Sequence, residues 1–326
     1  MRPLLKLAQI AVLLLFLAAA RPAMALNCSA WVGPTMNFGI VNMLAGGTRD
    51  AQAPITYNCY GEWNRDLTVL LCISIQPDQG SGSYDPRHIA SGNSRLAFNM
   101  YQDAARTMTV GSVDSGGSYS PIKIVRTVRA NRTETWDVDV YGRIKTAGQE
   151  GLPAGTYTSN ETGGWSMKLS YMEIASGTTA ECSSPQMTHT PFGTFHIQAK
   201  IENACRIDSA SDLNFGTVHG PTTERVDGAS AFAVTCNTAS YRLGMGDGLH
   251  ADGTTRRMRG PAGTIAYELY SNPQRTQRWG SRAYNDDVGG MGNGRSQSWT
   301  VYGRVPAQAV PGPGEYADTV IITLSY

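Results

Sequence analysis

Residues 205–216, CRIDSASDLNFG, repeat the layout of residues 28–39, CSAWVGPTMNFG: each stretch begins with a cysteine and reaches Asn-Phe-Gly at the same distance. In both places a further cysteine follows 31 residues after the first, at Cys59 and Cys236. Self-similarity at a fixed spacing is the signature of a structural unit that occurs more than once. The sequence therefore predicts two units of one kind in tandem.

Other landmarks follow in the same order in both copies. They are LAFNMY at 96–101 with IAYELY at 265–270, VYGR at 140–143 and again at 301–304, and a segment from Gly-x-Tyr to Leu-Ser-Tyr at 155–171 and at 314–326. The first copy spans 144 residues from Cys28 to Tyr171, and the second spans 122 from Cys205 to Tyr326. The additional residues of the first copy fall between landmarks, which places them in loops.

Apolar and polar residues alternate between the landmarks. In residues 319–326, TVIITLSY, the side chains of Val320, Ile322, Leu324 and Tyr326 share one face, as in a half-buried strand. Gly, Pro, Asn and Asp bound such segments, and no sustained helical period occurs. The pattern predicts an all-β protein with two tandem β-sandwich domains.

The amino-terminal residues have the layout of a secretory signal peptide. Arg2 and Lys6 precede an apolar run at 7–20, and Ala-Met-Ala at 23–25 provides a small-x-small cleavage site. The predicted organisation is a signal peptide at 1–25, a first domain at 26–183 and a second domain at 184–326. We therefore expect an exported protein.

Charge and cysteine content narrow the classes of function. A formal net charge of +1, with no Lys/Arg-rich run, argues against nucleic acid as a partner. The 6 cysteines form no C-x-x-C motif and no zinc-like cluster with histidine, so we predict neither a metal nor a cofactor. An even number of cysteines in an exported chain predicts disulfides.

The repeat also suggests how the cysteines pair. The matched spacing pairs Cys28 with Cys59 and Cys205 with Cys236, which leaves Cys72 for Cys182. Cys28, Cys59, Cys72 and Cys182 could also pair in other ways, and only the repeat selects this pairing.

No catalytic motif occurs in the chain. The glycine-rich residues 289–294, GGMGNG, lack the Lys-Ser/Thr ending of a phosphate-binding loop and are better interpreted as a hairpin loop. No nucleophile elbow is present, and none of the histidines lies in a recognisable catalytic or metal-binding motif. These are His88, His189, His196, His219 and His250. We predict a binding protein and not an enzyme.

The landmarks resemble those of the spore coat protein U family, which includes the pilins of archaic, Csu-type chaperone-usher pili. The similar features are the cysteine followed by Asn-Phe-Gly, Met-Arg-Gly at 258–260, YGRVP at 302–306 and GEYADTVIITLSY at 314–326. The second copy matches closely from Cys205 to Tyr326, while the first keeps only the landmarks. Two tandem domains resemble the tip adhesin of such a pilus, since the shaft subunit has one.

The resemblance implies that the two tandem domains are immunoglobulin-like β-sandwiches. It also implies donor-strand complementation, in which each sandwich lacks its last strand. A periplasmic chaperone fills the groove first, and a strand from the next pilin subunit replaces it at the outer-membrane usher. The predicted function is a pilus tip subunit at the cell surface that attaches to a host or abiotic surface and promotes biofilm formation. The alternatives are a secreted structural protein of a spore coat or matrix, and a free carbohydrate-binding module.

Residues 194–202 are a candidate for a donor strand inside the chain. Phe195, Ile197, Ala199 and Ile201 alternate with polar residues just before Cys205, where a shaft pilin would carry its donor strand. We hypothesise that they complete the first domain. The alternative is that this segment is the first strand of the second domain.

The carboxy-terminal strand is a candidate for the acceptor edge of the incomplete second domain. The sequence ends at Tyr326 on the apolar face of that strand, which leaves its edge for another chain; the alternative is a complete sandwich that ends on a strand. Only Leu26 and Asn27 stand between the expected cleavage site and Cys28, so we expect a subunit that receives a strand and donates none.

Aromatic and apolar residues in the predicted loops of the first domain are candidates for surface binding. Loops on sandwich scaffolds carry binding groups, and aromatic tips adhere to apolar surfaces or stack on sugar rings. The alternative is that these side chains pack inside. They are Trp31, Met36, Tyr60, Trp63, Tyr119, Ile122 and Trp165.

Overall fold

The computed structural model describes residues 26–61, 64–77, 81–159, 164–219 and 224–326. The predicted signal peptide lies outside these residues. The described part folds entirely into strands and connecting segments, without an α-helix, so the all-β prediction is confirmed. Accordingly, it contains no helix of the length and apolar character that crossing a membrane requires.

The first structural unit consists of two sheets. An eight-stranded sheet has the order β1-β3-β8-β6-β5-β9-β12-β2, and a four-stranded sheet has the order β11-β10-β4-β7. The strands are β1 Leu26–Val32, β2 Met36–Val41, β3 Thr48–Gly61, β4 Leu67–Ile75, β5 Arg87–Ser91, β6 Ser94–Tyr101, β7 Ile122–Val128, β8 Thr133–Lys145, β9 Gly155–Thr158, β10 Trp165–Ile174, β11 Thr188–Phe195 and β12 Ile197–Ile201.

The second unit repeats this plan with fewer strands. A five-stranded sheet has the order β13-β14-β19-β17-β16, and a three-stranded sheet has the order β18-β15-β20. The strands are β13 Cys205–Ala210, β14 Val226–Cys236, β15 Ser240–Met245, β16 Arg256–Gly260, β17 Gly263–Tyr270, β18 Val288–Met291, β19 Ser296–Val305 and β20 Ile322–Ser325. Each unit has its own apolar core.

Strand pairing divides the chain after Ile201. Strands β11 and β12 pair with β10, β9 and β2, so residues 188–201 pack in the first unit. The predicted division between residues 183 and 184 does not coincide with this pairing. The reason is that sequence spacing groups a strand with its neighbours along the chain, whereas hydrogen bonding groups it with its neighbours in space.

The three disulfides join the cysteines that the repeat pairs. Cys28–Cys59 links β1 to β3, and Cys205–Cys236 links β13 to β14, with the cysteines directly opposite in register in both cases. Cys72–Cys182 ties β4 to the connection between β10 and β11. Each disulfide closes within one unit.

A buried arginine joins the two sheets in each unit. In the first, Arg87 on β5 donates to the carbonyl of Val110 at 2.9 Å and to that of Ile75, on β4 in the other sheet, at 3.4 Å. In the second, Arg256 donates to the carbonyls of Met245 at 2.9 Å and Trp279 at 2.8 Å and pairs with Glu268. Such a cation is tolerated inside only because oxygens surround it.

An ion-pair cluster also occurs on the surface of each unit. Arg143 Nε lies 2.7 Å from Asp50 Oδ1, and Arg304 Nε lies 2.7 Å from Asp227 Oδ1. The hydrogen bond from Arg143 lowers the pKa of the Asp50 carboxyl below its ordinary value, and Arg304 does the same for the pKa of Asp227. Charged hydrogen bonds favour the ionised form.

A short connection joins β12 to β13 and is held by Asn237. The Asn237 side chain donates to the carbonyl of Glu202 at 3.0 Å and accepts from the amide of Ala204 at 3.2 Å. Arg206 also donates to the carbonyl of Leu44, in the first unit, at 2.8 Å. The junction is therefore hydrogen-bonded on both sides.

The Asp50 carboxylate should make folding stability depend on pH in the acidic range. Its folded pKa lies below the ordinary 3.8, so its stabilisation is present above that pH and is lost as pH falls towards the folded pKa. Urea unfolding of Asp50→Asn should give a deficit of about 0.2–1 kcal/mol at pH 7, typical of a partly exposed pair. The deficit should vanish in strong acid, and a deficit that is constant with pH would contradict the assignment.

Candidate interaction groove

Residues 188–201 pass from one sheet of the first unit to the other. Strand β11 pairs antiparallel with β10, with Phe195 opposite Trp165. After His196 the chain continues as β12, which runs parallel to β2 and antiparallel to β9, with Ala199 opposite Tyr157. This segment therefore occupies the groove between β2, β9 and β10.

The apolar side of this segment faces the core of the first unit. Phe195, Ile197, Ala199 and Ile201 are all buried there, as the predicted period of two requires. Lys200 points outward and is exposed. Backbone and side chains of the segment thus fill both the hydrogen-bonding edge and the apolar groove.

One wall of this groove, formed by β2 in the first unit, is repeated in the second unit. Leu213 and Phe215 stand where the repeat has Met36 and Phe38. The ring centroids of Phe215 and Tyr267 are 6.1 Å apart at 65°, and those of Phe38 and Phe98 are 6.1 Å apart at 67°. A Cβ at Gly303 would collide with Leu213 and Phe215, just as one at Gly142 would collide with Met36 and Phe38.

The opposite wall of the groove, formed by β9 in the first unit, is repeated in the second unit as well. The Tyr316 hydroxyl donates to the carbonyl of Gly312 at 2.8 Å, and the Tyr157 hydroxyl donates to that of Pro153 at 2.9 Å. A tyrosine that bonds back to the backbone in this way fixes a corner of a sandwich. Both walls of the second groove are therefore formed.

Asp318 holds the segment between Tyr316 and β20 against the second core. Its carboxylate accepts from the Tyr267 hydroxyl at 2.7 Å and from the amide of Leu249 at 3.0 Å. Burial, together with this carboxylate, raises the pKa of Tyr267 well above its usual range. The phenol therefore stays protonated as a donor to Asp318.

Among the described residues, no strand lies between the walls of the second groove. Strand β20 pairs with β15 on one side and ends the three-stranded sheet on the other. Phe215 and Tyr316 are partly exposed, whereas Phe38 and Tyr157 are buried. The second groove is thus open where β12 closes the first.

The residues predicted to form the acceptor strand lie beside this opening. Val320, Ile322 and Leu324 are half-buried and pack against the second core, and Tyr326 is 58% exposed. Their counterparts in the first unit, including Leu169 and Tyr171, are buried beneath the segment that fills its groove. The exposure of β20 reflects the unfilled position next to it.

Several residues predicted to lie in surface loops are instead buried. Met36 and Ile122 begin strands, and Trp165 packs edge-to-face on Phe98 with centroids 5.2 Å apart, so the surface prediction is wrong for these residues. Each has an inward position in an alternating strand. Tyr119 is half-buried and stacks on Tyr84 at 5.2 Å.

Trp31 and Tyr60 are exposed, but they lie on strands instead of loops. Trp31 on β1 is 45% exposed and Tyr60 on β3 is 36% exposed. They flank a polar patch on the outer face of the sheet, where Ser29 donates to Asn58 at 2.7 Å. Trp63 lies outside the described residues, and the sequence analysis missed Met108, which is 55% exposed.

The described residues contain no group of His, Cys, Asp or Glu side chains that could hold a metal ion. The groove offers unpaired backbone along a sheet edge and apolar side chains. Those are the groups that bind an extended peptide strand.

Comparisons with known proteins agree with this architecture. Protein U of Myxococcus xanthus is 30% identical over 178 residues, which cover 49% of this chain and 98% of that protein. The solved CsuC-CsuE chaperone-tip adhesion subunit pre-assembly complex, from archaic chaperone-usher Csu pili of Acinetobacter baumannii, contains a chain of similar fold. The TM-score is 0.51 at 15% identity, with 92% of this chain and 100% of that chain covered.

A weaker likeness exists to the CupB6 tip adhesin of Pseudomonas aeruginosa, with a TM-score of 0.43 and 14% identity over 92% of this chain and 93% of that one. The sequence profile of the Spore Coat Protein U domain matches residues 14–162 and 191–323. Because these matches cover most of the sequence, the chain belongs to the spore coat protein U domain family, and this membership indicates a structural, non-enzymatic protein.

Proposed function

We propose that this chain is the tip subunit of a chaperone-usher pilus, an adhesin exported through the periplasm to the cell surface. Its second unit accepts a strand, first from a periplasmic chaperone and then, at the outer-membrane usher, from the next pilin subunit. Its first unit attaches to a host or abiotic surface and so promotes biofilm formation. The observation that carries the proposal is a pair of like grooves, one filled by residues of the chain and one open.

The family matches support the view that β12 is a donor strand joined to its acceptor. The second match begins at residue 191 and so includes β12, which pairs in the first unit. A strand that belongs by sequence to one copy thus completes the other. This is the relation between neighbouring subunits in donor-strand complementation, here within one chain.

The energy of this pairing is large relative to the stability of a domain. Burying Phe195, Ile197 and Ile201 contributes about 5–9 kcal/mol as an upper estimate, at about 1.5–3 kcal/mol each. Small domains have a total stability of about 5–15 kcal/mol. A unit without its complement should therefore be marginal, which is why a chaperone is needed.

A structural role in a spore coat or matrix is a second candidate, favoured by the match to the Spore Coat Protein U domain. The same strand exchange would assemble the chain in either setting.

Ile197→Ala should destabilise the first unit by about 2–5 kcal/mol, because it leaves a cavity beneath β12. The matched control is Lys200→Ala on the exposed side of the same strand, with an expected change within about 0.5 kcal/mol. Urea unfolding of the purified chain, followed by tryptophan fluorescence, measures both. Equal effects of the two substitutions would contradict the role of β12 as a buried complement.

Immunogold labelling of the native organism should place the chain at one end of surface fibres. Affinity purification from its periplasm with the same antibody should recover a second protein of chaperone size. Labelling along whole fibres, or of a coat or matrix without fibres, would overturn the tip assignment.

Trp31 and Tyr60 should contribute to attachment, because a surface that covers these side chains removes apolar area from water. The double variant Trp31→Ser, Tyr60→Ser should reduce retention of the purified chain on polystyrene beads by roughly tenfold or more. That corresponds to about 1.4 kcal/mol, less than burial of one large apolar side chain contributes. Val125→Ser, on the other sheet, is the control, and an equal loss in the control would contradict this contact face.

A further inference from the structure

The glycine-rich residues 289–294 end in the short connection between β18 and β19, and this connection lies against the first unit. Gly294 has the left-handed conformation that favours glycine, with a φ of 76°. A Cβ on Gly294 would collide with the backbone of Gly151, in the loop between β8 and β9 of the first unit. The backbones of the two units therefore meet here with no side chain between them.

Gly151 is the matching half of this contact. The nearest neighbours of a Cβ on Gly151 would be the carbonyl oxygen of Asn293 at 3.0 Å, the carbonyl carbon of Asn293 at 3.5 Å and the amide nitrogen of Gly294 at 3.8 Å. All of these atoms belong to the second unit. The φ of Gly151 is not positive, so its own backbone conformation does not require glycine.

The repeat shows that the loop around Gly151 accepts a side chain at this position. In both units a glutamine anchors the loop: Gln149 Oε1 accepts from a β6 amide at 2.7 Å, and Gln308 Oε1 accepts from a β17 amide at 3.0 Å. The hydrogen bond of the corner tyrosine ends the loop at the same distance from the glutamine in both units. Between these landmarks, Val310 stands where the first unit has Gly151. Glycine at 151 is therefore explained by the approach of the second unit and not by the fold of the loop.

Two hydrogen bonds join the units beside this contact. The Thr238 hydroxyl, between β14 and β15, donates to the carbonyl of Gly151. Arg206 on β13 donates to the carbonyl of Leu44, in the loop between β2 and β3, at 2.8 Å. Together with Gly294, these donors place three separate segments of the second unit against two loops of the first. Rotation of one unit about the connection between β12 and β13 would break these contacts.

We propose that residues 292–295 are a docking loop, which seats against Gly151 and holds the two units in one fixed orientation. Domains joined by a short connection move relative to each other unless an interface holds them. Here the missing side chain at Gly151 lets the docking loop approach closely enough for Thr238 to reach the carbonyl of Gly151. This inference goes beyond the proposed function, because it holds whatever surface or strand the chain binds.

The test measures the distance between the units in the full chain. Spin labels are attached to cysteines that replace Val125 in the first unit and Leu249 in the second, both of which are exposed. Pulsed electron paramagnetic resonance should give a single narrow distance. Gly151→Val, which copies the residue of the second unit, should replace it with a broad distribution, because the added side chain keeps the docking loop from seating. Ala147→Val, at an exposed position of the same loop, is the matched control and should keep the narrow distance.

A second variant leaves the first unit unchanged. Thr238→Ala combined with Arg206→Ala removes both donors to the first unit and should also broaden the distribution. Urea unfolding establishes that each variant still folds. If Gly151→Val does not fold, the double variant decides the question.

Three results would overturn the docking loop. They are a broad distribution in the chain without these substitutions, a narrow distance that persists in a folded Gly151→Val or, failing that, in the double variant, and equal broadening by Ala147→Val. The proposed function would stand in each case, because it rests on the two grooves and not on the orientation of the units.

Discussion

The edge of a sheet beside an apolar groove is the constraint on which the second unit depends. Among the described residues no strand lies between residues 213–218 and 314–317, so this edge needs a hydrogen-bonded neighbour strand, and the half-buried side chains of Phe215, Tyr316 and Leu324 need cover. In the first unit, β11 and β12 meet both needs with one continuous segment. The same requirement is thus satisfied by β11 and β12 in the first unit, and no strand among the described residues satisfies it in the second.

Features that follow from local spacing could be predicted from the sequence. The disulfides Cys28–Cys59 and Cys205–Cys236 follow from the repeat, and the alternation of residues 194–202 predicted which side of that segment is buried. Period-two alternation and cysteine spacing predict the folded arrangement because successive side chains of a strand point to opposite faces of the sheet. The uncovered edge beside β20 was instead expected from the resemblance to the spore coat protein U family, because alternation alone is equally compatible with a complete sandwich.

Features that depend on packing between distant segments could not be predicted in this way. Met36, Ile122 and Trp165 were assigned to loops because the strand boundaries were unknown, although each lies on an inward position once its strand is placed. The burial of Arg87 and Arg256 could not be predicted from the sequence. The carbonyls that accept their hydrogen bonds belong to residues that are distant in the sequence. An arginine in a sequence normally indicates surface, and only the assembled sheets provide the oxygens that make burial tolerable.

The position of β12 also couples the two units mechanically. It is hydrogen-bonded on both sides within the first unit and continues into β13 through a connection that Asn237 holds at Glu202 and Ala204. A force that draws the second unit away along this connection would act on β12, and the ladders to β2 and β9 would resist its removal from the first unit. A strand that fills a groove from one side of a junction therefore both completes the first unit and anchors it to the second.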